Sequence, residues 1–564
     1  MLKNSGMKKE TGLCISFLFL ALLITFSSFI KFTMKIVSLS ELLLLFIFVK
    51  NMMQYGWKDS IIQSLCSSKR KLFVLVLFFI FVLSIALLKV KFGSYYQMII
   101  LFSCVSFFVF SGLVLTFLNA VVWKKELEKV MFSIVFAVGM AFMIVIPVGI
   151  VPDEGMHSFT AYRISNHFLG VKNEENMITM RESDGTRFLV SEAGTYNNEN
   201  YNQYFVDMNE CEVNPQLNSF TLPYVVGTDF LYVLPAIGIA IGRLLSFNAY
   251  QMYFLGRILD FALYIFGMYF IIKRTSTKKS LFLLMGLLPV FMQQGISISY
   301  DVPINLMLLY VISISMRLFS NQENSINKLE IAITVISCIA LCEVKSHAYI
   351  LVGLLPLLCL LAKKISFSKK KKLILILMLI FVCACFAGVF AGARFLPAVN
   401  LNPNDKYTVM YLLQNPKEII LIIYNTLLTF GSFHLDSFIG RYLGYLDIGI
   451  HPYLIYVYYL LLFIVSIPEE KEIVILPKYM KCVFVVVGIL TGAFAFAGML
   501  LANSTLQDQM VLGMQGRYLL ASVVLILVTL DFNFLHLKND YQIVVCCLLC
   551  FAEYLTICNL MLVL

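Results

Sequence analysis

The chain has 564 residues, of which 60% are hydrophobic and only 13% charged, and its mean hydropathy is +0.86. That balance excludes an ordinary soluble globular protein, because lipid must be the solvent for most of the chain. The net charge of +10 does not point to nucleic acid, since the lysines gather in short loops between apolar runs, as in cytoplasmic loops of membrane proteins.

In chain order, the first apolar run, Gly12 to Ile30 after Lys8 and Lys9, lacks a small-residue cleavage site and is followed at once by another apolar run. It reads as a retained first helix. With the N-terminus inside, helices near 36–53, 72–90, 96–119 and 130–150 leave Lys58, Lys69, Lys124 and Lys129 in the cytoplasm. The segment Pro152 to Thr228 then falls outside, and it holds eleven acids against four bases. Its scarcity of bases is the topological argument. Leu231 to Ser246 is apolar but short and contains Pro235 and Arg243. If it crossed, the basic run Lys273 to Lys279 would land outside, so it reads as an interfacial helix. Further spans follow near 250–272, 280–296, 301–318, 329–342, 347–362, 373–393, 451–467, 482–501, 517–533 and 541–564.

The expected fold is thus an all-α integral membrane protein with about fifteen spans and an extracytoplasmic C-terminus. Residues 1–129 form an N-terminal module, 130–534 a core with outer loops 152–228 and 394–450, and 535–564 a last helix. Within the second outer loop, Glu418 to Phe430 reads as interfacial or re-entrant. No repeat, linker or soluble domain is evident. Thirteen of the fourteen cysteines lie outside the large loop, so no disulfide framework is implied.

This threading sends the unusual polar residues to one side. Asp153 and Glu154 follow the fifth span directly, and adjacent carboxylates there suit a general base or a bound cation. They equally suit a plain acidic helix cap. A helix from this point would place His157 one turn away, with Arg163 beyond. Other clusters on that face are QQGISISYD with Tyr300 and Asp301, EVKSH with Lys345, SFHLDSFIGRYLGYLD, and MQGRY with Gln515, Arg517 and Tyr518. Lys345 and Arg517 suit a lipid phosphate, and either could instead snorkel to headgroups. Asp301 could cap its helix. Arg257 and Asp260, three residues apart within a span, are expected to pair. No Walker A loop, dinucleotide-binding glycine fingerprint or HExxH zinc motif is present.

The order PDE with His157 and Arg163, then LPAIGIAIGRLL with GRILD, LLPVFMQQGISISYD, EVKSHAY and QGRY resembles the bacterial membrane family called domain of unknown function 2142, over about Met131 to Leu530. That family is similar to the GT-C glycosyltransferases, which take a sugar from a polyprenyl-phosphate carrier at the outer face of the membrane. The resemblance implies a GT-C-like fold and an enzyme acting on a cell-envelope glycan or lipid acceptor. It makes Asp153 or Glu154 the catalytic base or a metal-linked acid, with a divalent metal as the one cofactor it suggests. Lys345 and Arg517 become donor-phosphate ligands, with His157, Arg163, Tyr300, Asp301, Gln515 and Tyr518 in support. Asp260 stands where the family is expected to carry Asn, and the loop from Lys172 to Asn218 is long. A transporter or flippase of lipid-linked glycan and a polysaccharide polymerase are the alternatives; sparse mid-span charge weighs against transport.

Overall fold

The computed structural model describes residues 14, 16–25, 31–55, 68–174, 177–188, 198–221, 229–318, 326–363, 405–468, 476–530 and 541–563. The expected span at 373–393 and the basic run beyond Lys363 lie outside the described residues. The chain is an all-α membrane protein. Helices α1 (Phe32–Tyr55), α2 (Ser68–Phe92), α3 (Tyr96–Phe117) and α4 (Leu127–Val145) precede the polar loop, which contains α5 (Glu154–Phe168) and α6 (Asn198–Glu210). Next come α7 (Val233–Leu244), α8 (Ala249–Arg274), α9 (Lys279–Leu287), α10 (Pro289–Gly295), α11 (Asp301–Arg317), α12 (Lys328–Glu343) and α13 (Ile350–Lys363). The last are α14 (Pro416–Ile439), α15 (Pro452–Ser466), α16 (Lys478–Asn503), α17 (Leu520–Leu527) and α18 (Tyr541–Val563).

Among the described residues, eight helices are long and apolar enough to cross a membrane: α1, α2, α3, α4, α8, α14, α16 and α18. Two expected spans are cut short by proline. The helix expected at 130–150 stops at Val145, with Ile146 extended ahead of Pro147. The one expected at 280–296 breaks into α9 and α10, because Leu288 is extended ahead of Pro289. A residue before proline is driven out of helical conformation by the ring.

The described parts of the polar loop are folded. Strand β1 (Met177–Arg181) pairs antiparallel with β2 (Leu217–Thr221), from Met177 opposite Thr221 to Arg181 opposite Leu217. Ile178, Met180, Tyr201, Phe205 and Met208 join the same continuous core that runs from Val37 to Met561, so the lobe is an extension of the membrane bundle and not a separate soluble domain. A second hairpin, β3 (Tyr442–Leu443) with β4 (Ile448–Gly449), follows α14.

Helix α7 has 12 residues, about 18 Å, too short to cross a hydrocarbon core of roughly 30 Å. Its small residues face α8 so closely that a Cβ on Gly238 would stand 2.7 Å from the Leu255 carbonyl oxygen. Ile241, Leu244 and Leu245 are exposed on its other side. Arg243 anchors it to α5, donating to Ser165 Oγ and Asn166 Oδ1 at 2.8 and 2.7 Å.

Polar ties sort the helix ends onto two faces. On the face of the loop lobe, Lys31 pairs with Glu210 at 3.0 Å, Asn198 donates to the Lys91 carbonyl at 3.2 Å, and the His451 amide donates to Asn559 at 2.9 Å. On the other, Lys125 donates to Asn51 at 2.6 Å and Lys278 Nζ donates to the carbonyls of Ser466, Leu527 and Leu530. A buried cation at the C-terminal ends of α15 and α17 meets the negative end of each helix dipole. Glu330 is wholly buried there between Arg317 and Arg274.

Helix α14 is long enough to span, yet elements of the lobe face hold it along its length. Asn425 donates to the Gln509 carbonyl, Thr426 Oγ1 accepts from Val511, and Ser437 Oγ accepts from Gly516. The helix therefore runs along that face, with Ile420, Leu427 and Leu428 exposed.

Candidate active site

On the lobe face, four separate motifs converge. The Asp301 carboxylate at the start of α11 takes Lys345 Nζ at 2.8 Å and stands 4.0 Å from Arg517 Nη1. Arg517 Nη2 donates to Asp153 Oδ2 and lies equally close to the Tyr518 hydroxyl, both at 3.2 Å. Lys345 Nζ lies 4.3 Å from the centroid of the Tyr300 ring and 5.1 Å from that of Tyr518, a cation against two aromatic faces. The Arg517 side chain is 4% exposed and Asp301 9%, whereas Asp153 is 57% exposed, so the cluster opens toward Asp153.

Local backbone explains the placement. Asp153 (φ 66°) and Lys345 (φ 52°) both take left-handed conformations, which cost a non-glycine residue on the order of 1 kcal/mol or more and collect at functional sites. Asp153 precedes α5 without capping it through its side chain. Tyr300, not Asp301, occupies the cap position of α11, so the Asp301 carboxylate is left for the cations. Gly516 lets Arg517 approach α14: a Cβ there would stand 2.2 Å from the Phe438 nitrogen. Gln515 is half-buried at the start of the same turn.

The acidic pair separates. Glu154 is wholly buried and pairs in a fork with Arg257, Nε to Oε1 at 2.7 Å and Nη2 to Oε2 at 2.6 Å. It also accepts from the amides of Gly149 (2.8 Å) and Ile298 (3.1 Å), while Arg257 donates to the carbonyls of Ile146 and Pro147. The expected Arg257–Asp260 pairing is therefore corrected: Arg257 reaches across the fold to Glu154, and Asp260 Oδ2 accepts from the Ser299 amide. This buried fork fixes the exit from α4, the start of α5 and the turn before Asp301 at once.

That geometry does not fit a divalent ion held between Asp153 and Glu154. Both Glu154 oxygens are committed, and among the described residues no three His, Cys, Asp or Glu side chains gather to hold a metal.

His157 is one turn into α5, as expected, and its Nδ1 lies 2.7 Å from the hydroxyl of Tyr232, a wholly buried residue that sequence reading did not single out. Its ring meets Tyr300 edge-on at 4.8 Å. Burial pushes His157 down to about 4, against the pull of the Asp301 carboxylate. Burial would lower Lys345 too, but Asp301 and Tyr300 more than offset it and raise it above the ordinary lysine range. Arg163 pairs with Asp229 instead, its Nη2 lying 2.8 Å from both carboxylate oxygens. Tyr232 and Asp229 had one legible signal, a tyrosine and an acid just ahead of an interfacial helix, but nothing in their spacing named their partners.

These motifs carry a family assignment. The chain belongs to the predicted membrane protein family DUF2142. The match covers residues 136–526, close to the extent expected from the motifs. No curated protein and no solved structure matches the chain.

Proposed function

We propose that this protein is a membrane-embedded glycosyltransferase, GT-C-like in architecture with about fifteen spans, that moves a sugar from a polyprenyl-phosphate donor to a cell-envelope glycan or lipid acceptor. In this reading the lobe face is extracytoplasmic, both termini follow the positive-inside threading, and the four helices before residue 130 are an accessory module.

One observation carries the proposal: a buried arginine and a lysine are held beside two carboxylates, one of them open to solvent. Arg517 has donors to spare, since its buried Nε meets no hydrogen-bond partner among the described residues. A guanidinium so placed suits phosphate oxygens. Asp153 takes the acceptor hydroxyl proton, the oxygen attacks the anomeric carbon, and the bond from that carbon to the phosphate oxygen breaks. The electron pair leaves on the phosphate, which Arg517 and Lys345 stabilise, and the configuration at the carbon inverts. Helix α7 borders the entry for the polyprenyl tail with its exposed Ile241, Leu244 and Leu245.

The test is transfer from labelled lipid carrier by the wild type, Asp153→Asn and Arg517→Gln. Each substitution is expected to cost at least 100-fold in rate, in the range of a lost general base, and full activity in both removes the mechanism. Asp260 and Glu553, wholly buried within helices long enough to span, favour a second reading, transport of a lipid-linked glycan. Wild-type protein that moves labelled lipid across vesicles without altering it would establish that reading instead.

A further inference from the structure

We propose that Asp153 is a displaceable counter-ion: a ligand bearing a phosphate takes Arg517 from it, and the carboxylate so released then serves as the base. This rests on the transferase reading and adds an order of binding to it, phosphate-bearing donor before acceptor.

The two partners in the Asp153–Arg517 pair are unequal. The guanidinium is 4% exposed and fixed in the turn that follows Gly516, while the carboxylate is 57% exposed. They share one bond of 3.2 Å from Nη2, which also lies 3.2 Å from Tyr518, although an arginine and a carboxylate can form a two-pronged fork. Arg257 and Glu154 do form that fork nearby, so the chain builds the tight pair where permanence is needed. The Asp153 side chain caps nothing in α5.

Charge decides which group yields. Lys345, Arg517, Asp153 and Asp301 sum to zero, and His157 among them is neutral near pH 7. An added phosphate must displace a carboxylate or remain unbalanced in a desolvated site. Asp301 is 9% exposed and bonded to Lys345 at 2.8 Å, so Asp153 is the group that can swing into solvent. While it pairs with Arg517 its Oδ2 is occupied by the guanidinium. Once a phosphate holds Arg517, it stands unpaired beside the bound donor.

The experiment measures binding of dodecyl phosphate to the full chain in detergent, comparing wild type with Asp153→Asn, Asp153→Gly and Arg517→Gln. Asparagine and glycine both accept the left-handed backbone at this position, which guards against misfolding. Removing the competing carboxylate is expected to tighten binding about tenfold in both Asp153 variants, a difference of about 1.4 kcal/mol, and Arg517→Gln is expected to weaken it. Equal or weaker binding in both Asp153 variants, with wild-type binding that depends on Arg517, overturns the counter-ion role and leaves the transferase reading standing. Binding that ignores Arg517, or none in any form, overturns both.

Discussion

At the scale of single residues, two neighbouring carboxylates have opposite roles because one meets solvent and the other meets Arg257. Removing one partner of a buried ion pair leaves a bare charge in the core, which costs about 3–5 kcal/mol. Glu154→Ala should therefore sharply lower the melting temperature in detergent, while Asp153→Asn should stay within about 0.5 kcal/mol of wild type. Comparable losses in both would show that Glu154 is not the structural member. His157 gives a pH signature. Its folded pKa, about 4, lies below the ordinary value, so between there and about 6.5 the unfolded chain binds more protons. Stability should rise with pH across that window and be lost as pH falls through it. In His157→Gln the slope of melting temperature against pH from 4 to 7 should flatten.

At the scale of elements, small residues decide where helices can touch. Gly516 brings the Arg517 turn against α14, where a Cβ would stand 2.4 Å from the His434 carbonyl oxygen as well as against the Phe438 nitrogen. Both are backbone atoms that no side-chain rotation can relieve. Gly516→Ala should cost about 1–3 kcal/mol, as overpacking does, and should depress sugar transfer by shifting Arg517. A melting curve and rate like those of wild type would mean the turn can move freely. The sequence read α7 as a short interfacial helix from its length, its proline and the charges beyond it, and the structure gives it 12 residues, too few to cross. It read Glu418 to Phe430, within α14, as interfacial or re-entrant without separating the two, and it did not show that α10 separates from α9. Pro289 signals a break, but α14 has the length and apolarity of a crossing helix, and only its contacts with 509–516 hold it to one side.

At the scale of the whole molecule, the helix ends divide between two faces, and this can be tested by cysteine labelling in intact cells. Glu199→Cys, Lys417→Cys and Tyr445→Cys should all react with an impermeant reagent added outside, and Lys129→Cys should not. Opposite behaviour of positions 417 and 445 would make α14 a crossing helix; complete reversal would invert the orientation. The sequence by itself determined that this is a multi-pass membrane protein and which motifs belong together, because apolar length and loop charge are properties of contiguous residues. It also named the members of the cationic cluster, since each lay at the end of a helix on the same side. Only the tertiary structure decided who pairs with whom. A buried charge can be satisfied by any partner that the packing brings near, and Arg257 found Glu154, 103 residues away in sequence, over Asp260 one turn along its own helix. That choice leaves Asp153 to Arg517, at the mouth of the site.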